Sequence, residues 1–227
     1  MCGIVGYVGS RQVQEILLQG LRKLEYRGYD SAGISVISGG EIESVRAVGN
    51  LSHLDDAMHA AGNVAVATQP ATIGIGHTRW ATHGRVSEQN AHPHFDTRHH
   101  VHVVVNGIVE NYMTLKDRLI EGGAVFTSET DAEVIAHLTA TYLVDGNLPE
   151  AVRRAYADLE GHFAFVAMSL DDPDTLVGVR KECPLIVGRG DGEQFVASAV
   201  PAFMAYTREV QYVENGELVV LRPEASS

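Results

Sequence analysis

Apolar residues recur at Val13, Ile16, Leu17, Leu21 and Leu24, with polar or small residues between them. Spacings of three and four put all five on one face of a helix. RQVQEILLQGLRKLEY is therefore predicted to be an amphipathic helix that packs on a core. Ahead of it, CGIVGYV is short, β-branched and punctuated by glycine, the pattern of a buried strand. AGISVIS and EIESVRAV repeat the strand pattern on either side of Gly39-Gly40, a pair suited to a hairpin turn. LSHLDDAMHAA is predicted to be a short helix, and TIGIGHTR and VHVVVNG to be strands. NYMTLKDRLIEGG reads as a helix closed by glycines. TSETDAEVIAHLTATYLVDG reads as a second, opened by a capping-box pattern from Ser128 to Asp131 and ending near Gly146. NLPEAVRRAYADLEG reads as a third. Strands then dominate in HFAFVAMSL, TLVGVRK, PLIVGRG and EQFVASA, and VQYVENGELVVLR is predicted to be a hairpin about Asn215-Gly216.

Strands and helices thus come in blocks, without strict strand–helix–strand alternation. That order predicts mostly antiparallel sheets with helices packed on them, an α+β layered domain. No linker, repeat or low-complexity tract interrupts it, and the closing RPEASS reads as a loop.

Composition narrows the function classes. The chain has 227 residues, enough for one large domain or two small ones, and 45% of them are hydrophobic, enough for a sizeable core. Seventeen basic against 29 acidic residues give a net charge of -12. Nucleic-acid binding needs clustered positive charge to displace counterions, so this balance argues against it. Two cysteines, Cys2 and Cys183, make no disulfide framework and point to a reducing compartment. No apolar run reaches the roughly 18 residues of a membrane-spanning helix. The start lacks the basic and apolar segments of a secretory signal. The expectation is a soluble cytoplasmic protein.

Several stretches could carry chemistry. Cys2 directly follows the initiator methionine. Its bland reading is a small buried side chain at the start of a strand. If Met1 is removed, however, Cys2 carries a thiol and a free α-amine on one residue. A thiol near its free pKa is only a few per cent thiolate at neutral pH and needs a base. The α-amine titrates near ~8 and could take the proton. HTRWATHGR, at positions 77 to 85, gathers Arg79, Trp80, Thr82 and His83 into five positions after a strand. Arginine suits a bidentate grip on a carboxylate, so a binding loop is favoured over a plain surface loop. Asn106-Gly107 would serve as a tight turn or as an oxyanion hole made of one side-chain amide and one backbone N–H. Asp131 fits a helix-start acid or the partner of an ammonium group. In HPHFDTRHHVH, His92 with His94 and His100 with His102 would share faces of an extended chain. No cysteine or acidic cluster stands at a familiar spacing from them, so no metal site is assigned. Cys183, before Pro184, reads as a packed or idle thiol. GRGDGE is no dinucleotide fingerprint, because a strand follows it.

Read together, CGIVGY, LEYRGYDSAG, HTRWATHG, NAHPH, NGIVEN and SETDAEVIAH resemble a known family, in order and through essentially the whole chain. It is the glutaminase domains of the glucosamine-6-phosphate synthase branch of the class II glutamine amidotransferases. YRGYDSAG with HTRWATHG is specific to that branch; the purine-pathway amidotransferases share only looser versions. The resemblance implies one glutaminase domain over 1–227 with the N-terminal-nucleophile hydrolase fold, a four-layer α/β/β/α sandwich of two antiparallel sheets. It implies an enzyme without cofactor that splits the glutamine side-chain amide into glutamate and ammonia through a cysteine thioester. Cys2 would attack the amide, and Asn106 and Gly107 would form the oxyanion hole. Arg79, helped by Thr82 and His83, would hold the α-carboxylate. Asp131, with the Gly107 carbonyl, would hold the α-ammonium. Trp80 would lie on the loop that closes over the site and guards the ammonia path, and Arg27 would support the nucleophile. The family often has histidine where Val105 stands, a position expected to carry no chemistry.

The whole synthases continue into isomerase domains that bind fructose 6-phosphate and take part in a homodimer. No such sequence follows RPEASS, so release of ammonia without a sugar acceptor is expected, and a monomer stays open. The rival reading is a glutamine-sensing module without turnover, which would keep every ligand-holding residue.

Overall fold

Two sheets, paired antiparallel throughout, carry the chain in a computed structural model that describes residues 2–60, 71–81 and 84–223. The first sheet runs, in spatial order, β11 (Glu209–Tyr212), β9 (Ile186–Gly190), β10 (Glu193–Ala197), β1 (Gly3–Val8), β4 (Ile73–Arg79), β2 (Ser31–Ser38) and β3 (Glu41–Val48). The second runs β12 (Leu218–Leu221), β8 (Asp172–Lys181), β7 (Gly161–Ser169), β6 (Val101–Val109) and β5 (His94–Phe95). Helices α1 (Val13–Leu24) and α2 (Leu51–Ala60) cover the first sheet. Helices α3 (Tyr112–Glu121), α4 (Glu133–Tyr142) and α5 (Leu148–Asp158) cover the second.

The period-two alternation of strand side chains divides the core into three slabs. Along β1, Val5 and Tyr7 enter the slab under α1 and α2, whereas Ile4 and Val8 enter the slab between the sheets. Along β7, Phe163, Phe165 and Ala167 face α3, α4 and α5, whereas Ala164, Val166 and Met168 face the other sheet. The result is the expected helix–sheet–sheet–helix sandwich. The five periodic positions of α1 are all buried, and Val13, Leu17, Leu21 and Leu24 wholly so. Each such side chain contributes roughly 1.5–3 kcal/mol, which holds a helix that lacks a side-chain N-cap. Helix α5 does have one: Asn147 accepts from the Glu150 N–H at 3.1 Å.

Three sequence expectations need correction. The hairpin about Asn215-Gly216 does not form. Strand β11 pairs with β9 and β12 pairs with β8, so the turn hands the chain from one sheet to the other. The helix expected from Thr127 begins only at Glu133, and no side chain caps it. Ser128 does not cap Asp131; instead the Glu133 carboxylate draws in the Thr127 N–H at 2.8 Å, the Ser128 N–H at 2.7 Å and both hydroxyls. His102 is buried and bonds Ser35, while His100 faces Asp171.

The Glu133 cluster yields a pH prediction. Burial alone would raise this carboxyl, but the His137 ring 3.6 Å away and the bonds from Ser128 and Thr127 outweigh it and hold the pKa at about 2, from an ordinary 4.5. A depressed carboxylate stabilises the fold above its unfolded pKa, and that contribution fades as pH falls toward the folded one. The melting temperature should therefore drop between pH 5 and pH 3. Glu133→Gln should be less stable at pH 7 and lose stability less steeply across that window, since other lowered carboxylates such as Asp158 remain. Equal acid slopes for the two proteins in circular-dichroism melts would assign the loss to other groups.

Candidate active site

Strand pairing gathers the residues that sequence spacing leaves far apart. Strand β1 lies between β10 and β4, with Gly3 opposite Thr78. Cys2, one residue before β1, therefore meets the chain leaving β4. The Trp80 N–H donates to Cys2 Sγ at 3.2 Å, and the thiol lies 3.5 Å from the Trp80 carbonyl. The Cys2 carbonyl accepts from Arg27 Nε at 2.9 Å and from Asn106 Nδ2 at 3.3 Å. Burial pushes the thiol pKa up, while the Trp80 N–H bond and the charges of Arg79 and Arg27 pull it back. The net shift is upward, so the resting sulfur is a thiol that needs a base.

The YRGYDSAG motif is the frame for this corner. Arg27 holds the Cys2 carbonyl. At Gly28 the backbone comes so near the Arg79–Trp80 peptide that a Cβ would lie 2.7 Å from the Arg79 carbonyl carbon. The Asp30 N–H donates to the Arg79 carbonyl at 3.0 Å, and Asp30 Oδ2 accepts from the Ala81 N–H at 2.9 Å. Sequence reading names the motif but gives Gly28 and Asp30 no task; their task is to fix the path of residues 79–81.

Arg79 is buried, and its guanidinium donates to the Gly84 and Arg85 carbonyls at 3.4 and 3.3 Å. Burial lowers its pKa, against the opposing pull of Cys2, Asp30 and Asp131. Trp80 is 45% exposed and stands edge-on to Tyr29, with ring centres 5.4 Å apart. Thr82 and His83 lie outside the described residues.

The second sheet supplies the opposite wall. Strand β5 pairs with β6 only at Val103 and His102, so β6 has an open edge beyond them. Strand alternation turns the main-chain groups of residues 105, 107 and 109 to that edge. The Val105 N–H donates to His92 Nδ1 at 3.3 Å, and its carbonyl accepts from His77 Nε2 at 2.9 Å. The Val109 N–H donates to Asp131 Oδ2 at 2.7 Å. Gly107 sits between them, exposed, with φ of 102°. Its missing side chain is required, because a Cβ would collide with the His162 carbonyl. Val105 takes part through its backbone alone, and its side chain packs in the core under the helices.

Cys2, Arg79, Trp80, Gly107 and Asp131 line one cavity, together with His92 and Thr130. Its free space is about 20 Å³, room for about one water. A larger cavity of about 470 Å³ beside Arg98, Arg118 and Tyr142 contains none of these residues. Cys183 is a free, half-buried thiol 3.6 Å from the His162 carbonyl. Among the described residues, no cluster of three or more His, Cys, Asp or Glu side chains could hold a metal. No helix among them is long and apolar enough to cross a membrane.

Residues 77–205 match the family described as glutamine amidotransferase domain. The chain is 52% identical, over 98% of its length, to glutamine–fructose-6-phosphate aminotransferase [isomerizing] of Thermosynechococcus vestitus, of which it covers 35%. It is 46% identical, over 96% of its length, to the protein of that name from Pyrococcus horikoshii, of which it covers 36%. The chain thus spans about a third of the length of the curated relatives it matches. Among solved structures it resembles the glutamine phosphoribosylpyrophosphate amidotransferase of B. subtilis, with a TM-score of 0.80 and 25% identity, covering 97% of this chain and 47% of that one. The resemblance carried by the motifs is borne out, and with more than half its residues inside the family match, the chain belongs to the glutamine amidotransferase domain family.

Proposed function

We propose that this chain hydrolyses the side-chain amide of L-glutamine to glutamate and ammonia through a thioester on Cys2. The observation that carries the reading is the convergence of a thiol, an exposed Gly107 backbone, a buried guanidinium and a buried carboxylate on one cavity. Attack forms a sulfur–carbon bond and puts negative charge on the former amide oxygen. Asn106 Nδ2 and the Gly107 N–H are the donors for that oxygen, and preorganised donors of this kind are a large part of such catalysis. The tetrahedral centre then expels ammonia with the proton taken from the thiol. Water attacks the thioester next and releases glutamate. Arg79 holds the α-carboxylate and Asp131 the α-ammonium. Both are held in place at rest, Arg79 by the Gly84 and Arg85 carbonyls and Asp131 by the Val109 N–H. In the longer proteins, ammonia from this domain would pass to fructose 6-phosphate bound by isomerase domains.

The test is ammonia release from glutamine by the purified chain, with intact mass to report whether Met1 is present. A protein that binds glutamine calorimetrically yet releases no ammonia after Met1 removal would be a sensing module. Arg79→Lys provides a sharper check. Lysine keeps the charge but loses the planar fork. Transition-state binding should weaken by roughly 1.5–3 kcal/mol, read as kcat/KM. An unchanged kcat/KM would remove Arg79 from the carboxylate site.

A further inference from the structure

His77 is wholly buried in β4, on the sheet that carries Cys2, yet its ring reaches across the sandwich to β6. Its Nε2 lies 2.9 Å from the Val105 carbonyl and 3.1 Å from Asn106 Oδ1. A carbonyl oxygen can only accept, so Nε2 must carry the proton. That proton in turn decides which way the Asn106 carboxamide faces. Oδ1 is held toward His77, and Nδ2 is left on the Cys2 side, where it donates to the Cys2 carbonyl. The opposite orientation would set an NH2 group against an N–H and aim a carbonyl at the place where negative charge develops. His77 Nδ1 has no hydrogen-bond partner among the described residues and lies in a ring stacked on His92, with centres 4.1 Å apart. His92 is fixed as well, since its Nδ1 accepts from the Val105 N–H. Two neutral rings thus clamp both polar groups of the residue just before Asn106 and stand in for the strand that β6 lacks there. Burial holds the His77 pKa at about 3, so the donor persists at any working pH.

We propose that His77 is a positioning residue for the oxyanion hole: its Nε2–H fixes the Asn106 amide with Nδ2 toward the sulfur. The inference rests on the glutaminase reading of the site. It assigns His77 no contact with substrate and no proton transfer.

The test is a double-mutant cycle on the Met1-free chain, with kcat and KM for glutamine, the rate of Cys2 alkylation by iodoacetamide, and melting temperature. His77→Phe keeps a ring but loses the donor. It should lower kcat by roughly 100-fold, the scale of a lost oxyanion donor. KM should stay within about twofold and the alkylation rate should not change, since neither needs the Asn106 amide to face one way. His77→Gln, whose amide N–H can reach the Nε2 position, should recover most of kcat. In an Asn106→Ala background, His77→Phe should cost nothing further, because residues that act as a unit are non-additive. Independent, multiplying losses would overturn the proposal, as would equal losses in Phe and Gln variants or slowed alkylation in step with kcat. If Asn106→Ala alone leaves kcat intact, the oxyanion reading itself fails. Should His77→Phe not fold, His77→Asn, which places its amide short of Nε2, takes its place in the cycle with the same expectations.

Discussion

Removal of Met1 should switch the protein on. With Cys2 as the first residue, ammonia release from glutamine should proceed; with Met1 retained, or with the Cys2 amine acetylated, it should fall by roughly 100- to 10,000-fold, the usual worth of a general base. The reason lies in the thiol. Burial raises its pKa, and neither described histidine near it can serve as base. His77 donates through Nε2 and is held neutral with a pKa of about 3, while the His92 Nδ1 lone pair is engaged by the Val105 N–H. An α-amine titrating near ~8 is on the same residue and needs no partner. An amide nitrogen has no basic lone pair, so a peptide or acetyl group at this place removes the base. kcat/KM should accordingly climb with pH through the amine titration, and that limb should survive in His77→Gln and His83→Gln. Full turnover by the Met1-bearing or acetylated chain would move the base to a side chain.

Asn106→Ala should lower kcat by roughly 100- to 1000-fold with little change in KM. The amide makes two bonds in the resting protein, from His77 and to the Cys2 carbonyl. His77 keeps the Val105 carbonyl as an acceptor in the variant, and Cys2 keeps Arg27. Stability should therefore fall by only about 1–3 kcal/mol, two ordinary hydrogen bonds at about 0.5–1.5 kcal/mol each. A variant that loses many degrees of melting temperature yet turns over normally would make Asn106 a structural residue only.

Much of the layered fold is legible in local pattern, because burial on one face imposes periodicity. The α1 stripe and the Gly39-Gly40 hairpin, whose glycines adopt φ of 60° and 84°, are examples. What local pattern cannot carry is the choice of partner. The stretches flanking Asn215-Gly216 look alike as hairpin arms, yet each pairs with a different sheet. The late start of α4 has the same origin: the Glu133 carboxylate satisfies the backbone ahead of it and holds residues 127–132 out of the helix. In the site, the residue types of Cys2, Arg79, Asn106 and Asp131 suggest their chemistry. Nothing in their spacing says that the Gly3–Thr78 register brings the first two together. The work of His77 and His92 was hidden more deeply, since it arises only where β6 has no neighbouring strand.

The position of β1 has a consequence during synthesis. One neighbour, β4, is complete by residue 79, but the other pairs Val5 with Ala197. At typical elongation rates of 5–20 residues per second, roughly 10–40 s separate the emergence of Cys2 from that of the strand that closes β1 in. Through that interval the first residues hang from the ribosome outside any finished sheet. Enzymes that trim the chain can reach them throughout that interval, before β10 takes its place beside β1.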